Sequence, residues 1–237
     1  MPQGKGWPQV GEFGLAIGDN IGTVFSVNQE VDMPVVVVAN PKGGVGKSTL
    51  STNVAGYFAS LGHSVMLGDA DRQQSSQLWL RLRPPAARPI QTWELNSEFI
   101  ARPPKDVSHV VLDTPAGLHG WRFKDVLKLA DKVLVPLQPS IFDIYATRAF
   151  LDELAETKHG AKLDVGIVGM RVDERTIAAE KLHEFVNGLG LPVLAYLRDT
   201  QNYVHLAARG LTLFDIAPSR IEKDLQQWQG LTKWLNA

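Results

Sequence analysis

From Pro34 onward, short apolar runs alternate with longer stretches of helical spacing. The apolar, β-branched runs fall at 35–40, 64–69, 109–113, 132–137, 165–170 and 192–197. They are continuous rather than alternating, which predicts strands buried on both faces of a parallel sheet. Helical stretches lie between them at about 47–61, 73–82, 143–158 and 174–189. This alternation predicts an α/β fold, a doubly wound and mostly parallel sheet with helices on both faces. Segment 83–89 holds three prolines and reads as a surface loop.

The two ends depart from this pattern. Residues 1–33 hold six glycines and two prolines with little periodicity. They are expected to form a poorly ordered extension, and Met33, just before the first strand, is a candidate start. Residues 34–237 are then expected to form one domain. Segment 218–237 carries Ile221, Leu225, Trp228, Leu231 and Leu235 near helical spacing. Such an apolar face either docks on the core or lies on a membrane. A membrane helix needs a Lys/Arg-rich polar face, whereas Lys223 is flanked by Glu222 and Asp224. Docking is therefore the expectation.

Bulk properties narrow the chemistry. Net charge is −1 across 237 residues, with 44% hydrophobic and 21% charged. Any polyanion contact must come from a local patch. There are no cysteines, which excludes disulfides, thiolate zinc sites and cysteine-bound iron–sulfur clusters. The six histidines show no metal-ligand spacing. No apolar run is long enough to span a bilayer, and no signal-peptide order is present. A cytoplasmic location is expected.

The chemistry concentrates at Lys42-Gly43-Gly44-Val45-Gly46-Lys47-Ser48-Thr49. This run follows a strand and opens a helix, the context a phosphate loop requires. Glycines let backbone N–H groups converge on phosphate oxygens, and the helix N-terminus adds unpaired donors and partial positive charge. Lys47 would bridge the terminal phosphates, and the Ser48 hydroxyl would ligate Mg²⁺. The ordinary pattern has its first glycine six positions before the lysine; here Pro41 stands there. The bland alternative is a glycine-rich turn with no ligand.

With its second lysine, this loop resembles the deviant Walker A motif of the ParA/MinD family of P-loop ATPases. The resemblance runs over most of 34–237. It implies that ATP binds with Mg²⁺ across a homodimer and that Lys42 reaches the partner subunit's nucleotide. Asp69-Ala70-Asp71-Arg72-Gln73-Gln74 is similar to the family's Asp-x-Asp-Pro-Gln, with Arg72 replacing the proline. The resemblance puts Asp71 beside the attacking water and Asp69 near the Mg²⁺ shell. Asp113 looks like the Walker B aspartate, and 114–117 like the segment that senses the γ-phosphate. A lone aspartate at a strand end often only caps a helix. Where family members often read adenine with an asparagine, this chain has Met170 and Arg171; the base would pack against these or use Asp199.

Within the family, members built on bridging cysteines are excluded by composition. What remains resembles ParA-type positioning ATPases more than MinD-type membrane-associated regulators. The resemblance implies nonspecific DNA binding, nucleoid association and a ParB-like or cargo-linked stimulating partner. Residues 1–33 are too short for a helix-turn-helix domain, so sequence-specific DNA recognition is not expected. Candidate phosphate-backbone contacts are Arg198, Arg209, Arg220 and Lys223. The alternative is a solvated face with scattered charge, because Asp215, Glu222 and Asp224 interleave.

Overall fold

In the first strand, Val35–Val38, every valine is buried, and successive side chains enter different cores. Val35 and Val37 join one cluster; Val36 and Val38 join the other. This period-two partition explains the continuous apolar run, since both faces of the sheet are covered. The computed structural model describes residues 34–95, 106–117 and 120–237. The expectations for 1–33, including a start at Met33, lie outside the described residues.

The strands are β1 Val35–Val38, β2 Val65–Asp69, β3 Gln91–Trp93, β4 His109–Asp113, β5 Lys132–Leu137, β6 Asp164–Met170 and β7 Val193–Leu197. They form one sheet in the order β3-β2-β4-β1-β5-β6-β7. Every pairing is parallel. The helices are α1 Lys47–Ser60, α2 Ser75–Leu82, α3 Gly120–Leu129, α4 Ile141–Glu156, α5 Ile177–Asn187, α6 Gln201–Ala207 and α7 Glu222–Leu235. Helices α3, α4 and α5 cover one face through Phe123, Phe150 and Leu182. Helices α1, α2, α6 and α7 cover the other through Phe58, Trp79, Leu206 and Trp228. From β1 the chain winds outward through β2 to β3, returns as β4, then crosses β1 to β5 and winds the other way. Ligands in such sheets lie beyond the carboxyl ends of the strands near this reversal.

Three elements were not expected from spacing. β3 is a short edge strand in which only Trp93 is buried. α6 has seven residues and one buried side chain, Leu206. α3 presents Phe123, Val126 and Leu127 to the core. β1 also ends at Val38 rather than at 40, because the chain turns there into the phosphate loop.

α7 is docked. Trp228, Leu231 and Leu235 are buried, each contributing about 1.5–3 kcal/mol. Polar anchors add to this. Trp228 Nε1 donates to the Tyr203 hydroxyl at 2.8 Å, Lys132 Nζ to the Trp234 carbonyl at 2.7 Å, and Asn236 Nδ2 to the Tyr57 hydroxyl at 2.6 Å. No helix among the described residues is long and apolar enough to cross a membrane.

Candidate active site

The loop between β1 and α1 is held from three directions. Asn40 is buried and uses its whole amide. Its Nδ2 donates to the Pro136 carbonyl at 2.8 Å and to Thr147 Oγ1 at 2.9 Å, while its Oδ1 accepts from the Lys42 N–H at 2.9 Å. Gln138 Nε2 donates to the Gly44 carbonyl at 2.9 Å. The Gly117 N–H donates to the Pro41 carbonyl at 2.9 Å, joining the segment after β4 to the loop. Residues from β5, α4 and β4 thus fix the loop before any anion arrives.

Two glycines carry the turn. Gly44 has φ 79 and Gly46 has φ 98, left-handed values that L side chains rarely adopt. A Cβ on Gly46 would also lie 2.8 Å from Met170 Cε. Gly46 precedes α1 without a side-chain cap, and the first turn of α1 carries no acidic residue. Its unpaired N–H groups and the helix dipole therefore face the loop's concavity, an anion site by construction.

Lys47 is buried, and its Nζ donates to the Lys42 carbonyl at 2.7 Å. Burial holds its pKa below the ordinary amine range; Asp113 and Asp71 oppose that shift. Lys42 is half-buried, and its charge is felt by the Asp143 carboxylate in the first turn of α4. Ile141, Phe142 and Tyr145 of the same turns are 52%, 74% and 70% exposed. An apolar surface therefore flanks the second lysine.

Asp113 ends β4 and is buried. Its Oδ2 accepts from Ser76 Oγ at 2.6 Å, and its Oδ1 has no partner. Burial pushes the carboxyl up to about 6, against the pull of the Ser48 and Ser76 hydroxyls and the Lys47 charge. An orphaned carboxylate oxygen beside a serine hydroxyl is a donor set for a hard cation, with phosphate and water oxygens completing the shell. Ser48 and Asp113 fit Mg²⁺. Among the described residues no group of three His, Asp or Glu side chains would hold a metal unaided.

Asp69, expected near the Mg²⁺ shell, is the last residue of β2. Its Oδ1 accepts from the Asp71 N–H at 2.9 Å, and its Oδ2 from the Ser76 and Gln77 N–H groups at 2.8 and 3.1 Å. It caps α2 and shapes the Asp71 turn, tying the end of β2 to both. Asp71 itself accepts from the Gln73 N–H at 3.0 Å and remains partly exposed. Ser76 and Asn40 were missed from sequence; each acts through a partner far along the chain.

The base and polymer candidates sort less evenly. Met170 is buried in the core against Gly46, which leaves the exposed Arg171 as the next accessible side chain. Asp199 is exposed beyond β7. Arg198 donates from Nε to the buried Asp224 at 2.6 Å, while its side chain remains 40% exposed. Arg209, Arg220 and Lys223 are exposed along 209–223. Asp215 does not oppose them, because it is buried in a bidentate pair with Arg83 at 2.8 and 3.0 Å.

Comparison with known proteins places this geometry. Residues 36–213 match the family described as the CobQ/CobB/MinD/ParA nucleotide binding domain. A relative from Gloeobacter kilaueensis, maintenance of carboxysome distribution protein A, is 31% identical over 187 residues, covering 76% of this chain and 83% of that protein. The chromosome-partitioning ATPase Soj of Thermus thermophilus is 26% identical over 182 residues, covering 62% and 73%. Among solved structures, MinD in the MinC:MinD complex of Aquifex aeolicus superimposes with a TM-score of 0.64 at 18% identity, covering 85% of this chain and 95% of that one. With the family model matching 36–213 and the seven-stranded parallel sheet superimposing on MinD, this chain belongs to the ParA/MinD group of nucleotide-binding ATPases.

Proposed function

We propose that this protein is a Mg²⁺-dependent positioning ATPase that dimerises on ATP, binds DNA nonspecifically and releases it when a partner stimulates hydrolysis. The carrying observation is the second lysine. Lys42 sits at the rim of its own site, its backbone fixed by Asn40 and its carbonyl holding Lys47. Apolar Ile141, Phe142 and Tyr145 lie exposed on the same turns as Asp143. A second copy pressed on that surface would bury it and bring Lys42 to the facing γ-phosphate. There a cation offsets charge developing in the transition state.

Within one protomer the roles follow from position. The loop N–H groups and Lys47 bind the phosphates. Ser48 and Asp113 would hold Mg²⁺, which when bound neutralises the β- and γ-phosphate oxygens. Asp71, partly exposed and set by Asp69, orients the attacking water. The segment 114–117 abuts the loop through Gly117 and would feel the γ-phosphate.

DNA is favoured over membrane as the surface because the apolar face of α7 is already buried in the core. Arg209, Arg220 and Lys223 would supply the phosphate contacts. The relatives named for carboxysome distribution and chromosome partitioning support a positioning role, with nucleoid association and a ParB-like or cargo-linked adaptor. Co-sedimentation with plasmid DNA and with anionic liposomes, each with ATP or ADP and Mg²⁺, tests the reading. Expected is ATP-dependent pelleting with DNA that falls steeply with salt. Pelleting with liposomes alone, or with neither, overturns it.

A further inference from the structure

A nucleotide whose phosphates sit on the loop must carry its base to one side of β1. One side ends in carboxylates: Asp113 at the end of β4, Asp69 at the end of β2 and Asp71 just beyond it. The other side is β5, β6 and β7. The end of β6 reaches the loop, because Met170 packs where a Cβ of Gly46 would stand. Base and ribose therefore lie along the carboxyl ends of β6 and β7.

Two exposed side chains of opposite sign occupy that edge. Arg171 follows β6 with φ 53, a left-handed backbone that is uncommon for a long side chain and clusters at functional sites. Its conformation is fixed from behind, since the Val172 N–H donates to the Leu197 carbonyl at 2.9 Å. Asp199 lies just beyond Leu197 on the neighbouring strand. Adjacent charges are already paired: Arg198 with Asp224, and Asp173 with Arg175. Neither Arg171 nor Asp199 enters an ion pair among the described residues.

Hydrogen-bond chemistry then decides what this edge reads. A guanidinium only donates, and a carboxylate only accepts. Adenine places the N6 donor beside the N7 acceptor, so a donor-only cation meets one acceptor and one repelling N–H. Guanine places two acceptors, O6 and N7, side by side and matches an arginine fork. A carboxylate can accept from the adenine N6–H or from the guanine N1–H and N2–H groups. We propose that Arg171 and Asp199 are the base-reading pair, and that they admit guanine, so that the protein hydrolyses GTP as well as ATP. This rests on the nucleotide-site reading above. In the step itself the water oxygen bonds to the γ-phosphorus as the β–γ bridging P–O bond breaks. GDP leaves, and the water's proton passes to the released phosphate.

The experiment is competition of ATP and GTP against a fluorescent ADP analogue with Mg²⁺, together with phosphate release from each triphosphate. Expected for the wild type is GTP binding within about tenfold of ATP. One bidentate arginine contact is worth about 5–150-fold, so Arg171→Ala should shift the GTP:ATP preference at least about fivefold toward ATP. Asp199→Asn should also change the ratio, reporting the second member of the pair. GTP binding more than about a hundredfold below ATP overturns the inference, as does an unchanged ratio in Arg171→Ala. Tight ATP binding in those cases leaves the nucleotide site standing. Failure of both triphosphates to bind strikes the site reading and this inference together.

Discussion

Replacing Asp113 with Asn should stabilise the nucleotide-free protein while weakening its response to Mg-ATP. The carboxyl is buried, one oxygen is without a partner, and its pKa is raised from 3.8 to about 6. A raised folded-state pKa means the folded protein holds this proton more tightly than the unfolded chain does. The anion therefore destabilises the fold, by little near about pH 4 and increasingly as pH rises to about 6, with a constant cost above. At about 1.36 kcal/mol per pH unit, the cost is about 0.5 kcal/mol near pH 4 and about 3 kcal/mol above pH 7. Asparagine has the same shape and no charge. Its Oδ1 can keep the Ser76 hydrogen bond, but an unpaired amide N–H returns about 1 kcal/mol of the gain. A net gain of about 2 kcal/mol is expected near pH 8, shrinking toward zero near pH 4. Urea unfolding followed by tryptophan fluorescence measures the gap at each pH. The same titration with Mg-ATP should raise wild-type stability much more than that of Asp113→Asn, because ligand binding adds RT ln(1 + [L]/Kd). A variant no more stable than wild type near pH 8, or a gap that does not widen with pH, refutes the reasoning.

The remaining outcomes are more direct. Lys47→Ala should abolish nucleotide binding in an equilibrium fluorescence titration, whereas Lys42→Ala should retain part of it and lose partner-stimulated phosphate release. Normal stimulated turnover in Lys42→Ala would remove the in-trans role. Asp71→Ala should accumulate an ATP-bound dimer, read by size-exclusion chromatography with light scattering; a monomer under saturating ATP contradicts it. At the amino end of β4, away from the phosphate loop, His109 stacks between Phe58 and His63, with ring centroids 4.3 and 4.0 Å away. Burial, with the neighbouring His63, lowers its pKa from 6.5 to about 4. Its neutral form is thus favoured in the folded protein, a contribution present above about pH 6.5 and lost as pH falls toward about 4. The group is only half-buried, so the loss is about 1–2 kcal/mol after solvent screening. His109→Phe should flatten that part of the pH–stability curve, and an unchanged curve would contradict it.

The phosphate end of the site was legible because an anion cradle needs consecutive residues. Lys42 to Thr49 must be contiguous for their N–H groups to converge, so sequence and site coincide there. Apolar run and strand coincide in the same way at β1, β2 and β4–β7, where burial on both faces leaves no polar alternation. β3 has no such signature; three residues become a strand only because β2 offers an unpaired edge. Elsewhere the sequence carried the right residue types but not their partners. Asn40 reaches Thr147, Ser76 reaches Asp113 and Arg198 reaches Asp224. Each pairing depends on which strands become neighbours. The pairing of Arg198 with α7 and the capping of α2 by Asp69 are likewise invisible before the strands are in place.

The base end shows the sharpest version of this limit. Met170 and Arg171 are adjacent in the chain, and periodicity alone leaves open which of them faces the core. The left-handed backbone at Arg171 decides it, together with the hydrogen bond from Val172 to Leu197. Met170 is sealed beneath Gly46, and the next side chain is released to solvent. One residue of register thus separates a buried apolar side chain from an exposed cation, which on the reading proposed above would meet the base's acceptors. Which side chain is offered to a base is thus set by where β6 stops pairing, which no local motif records.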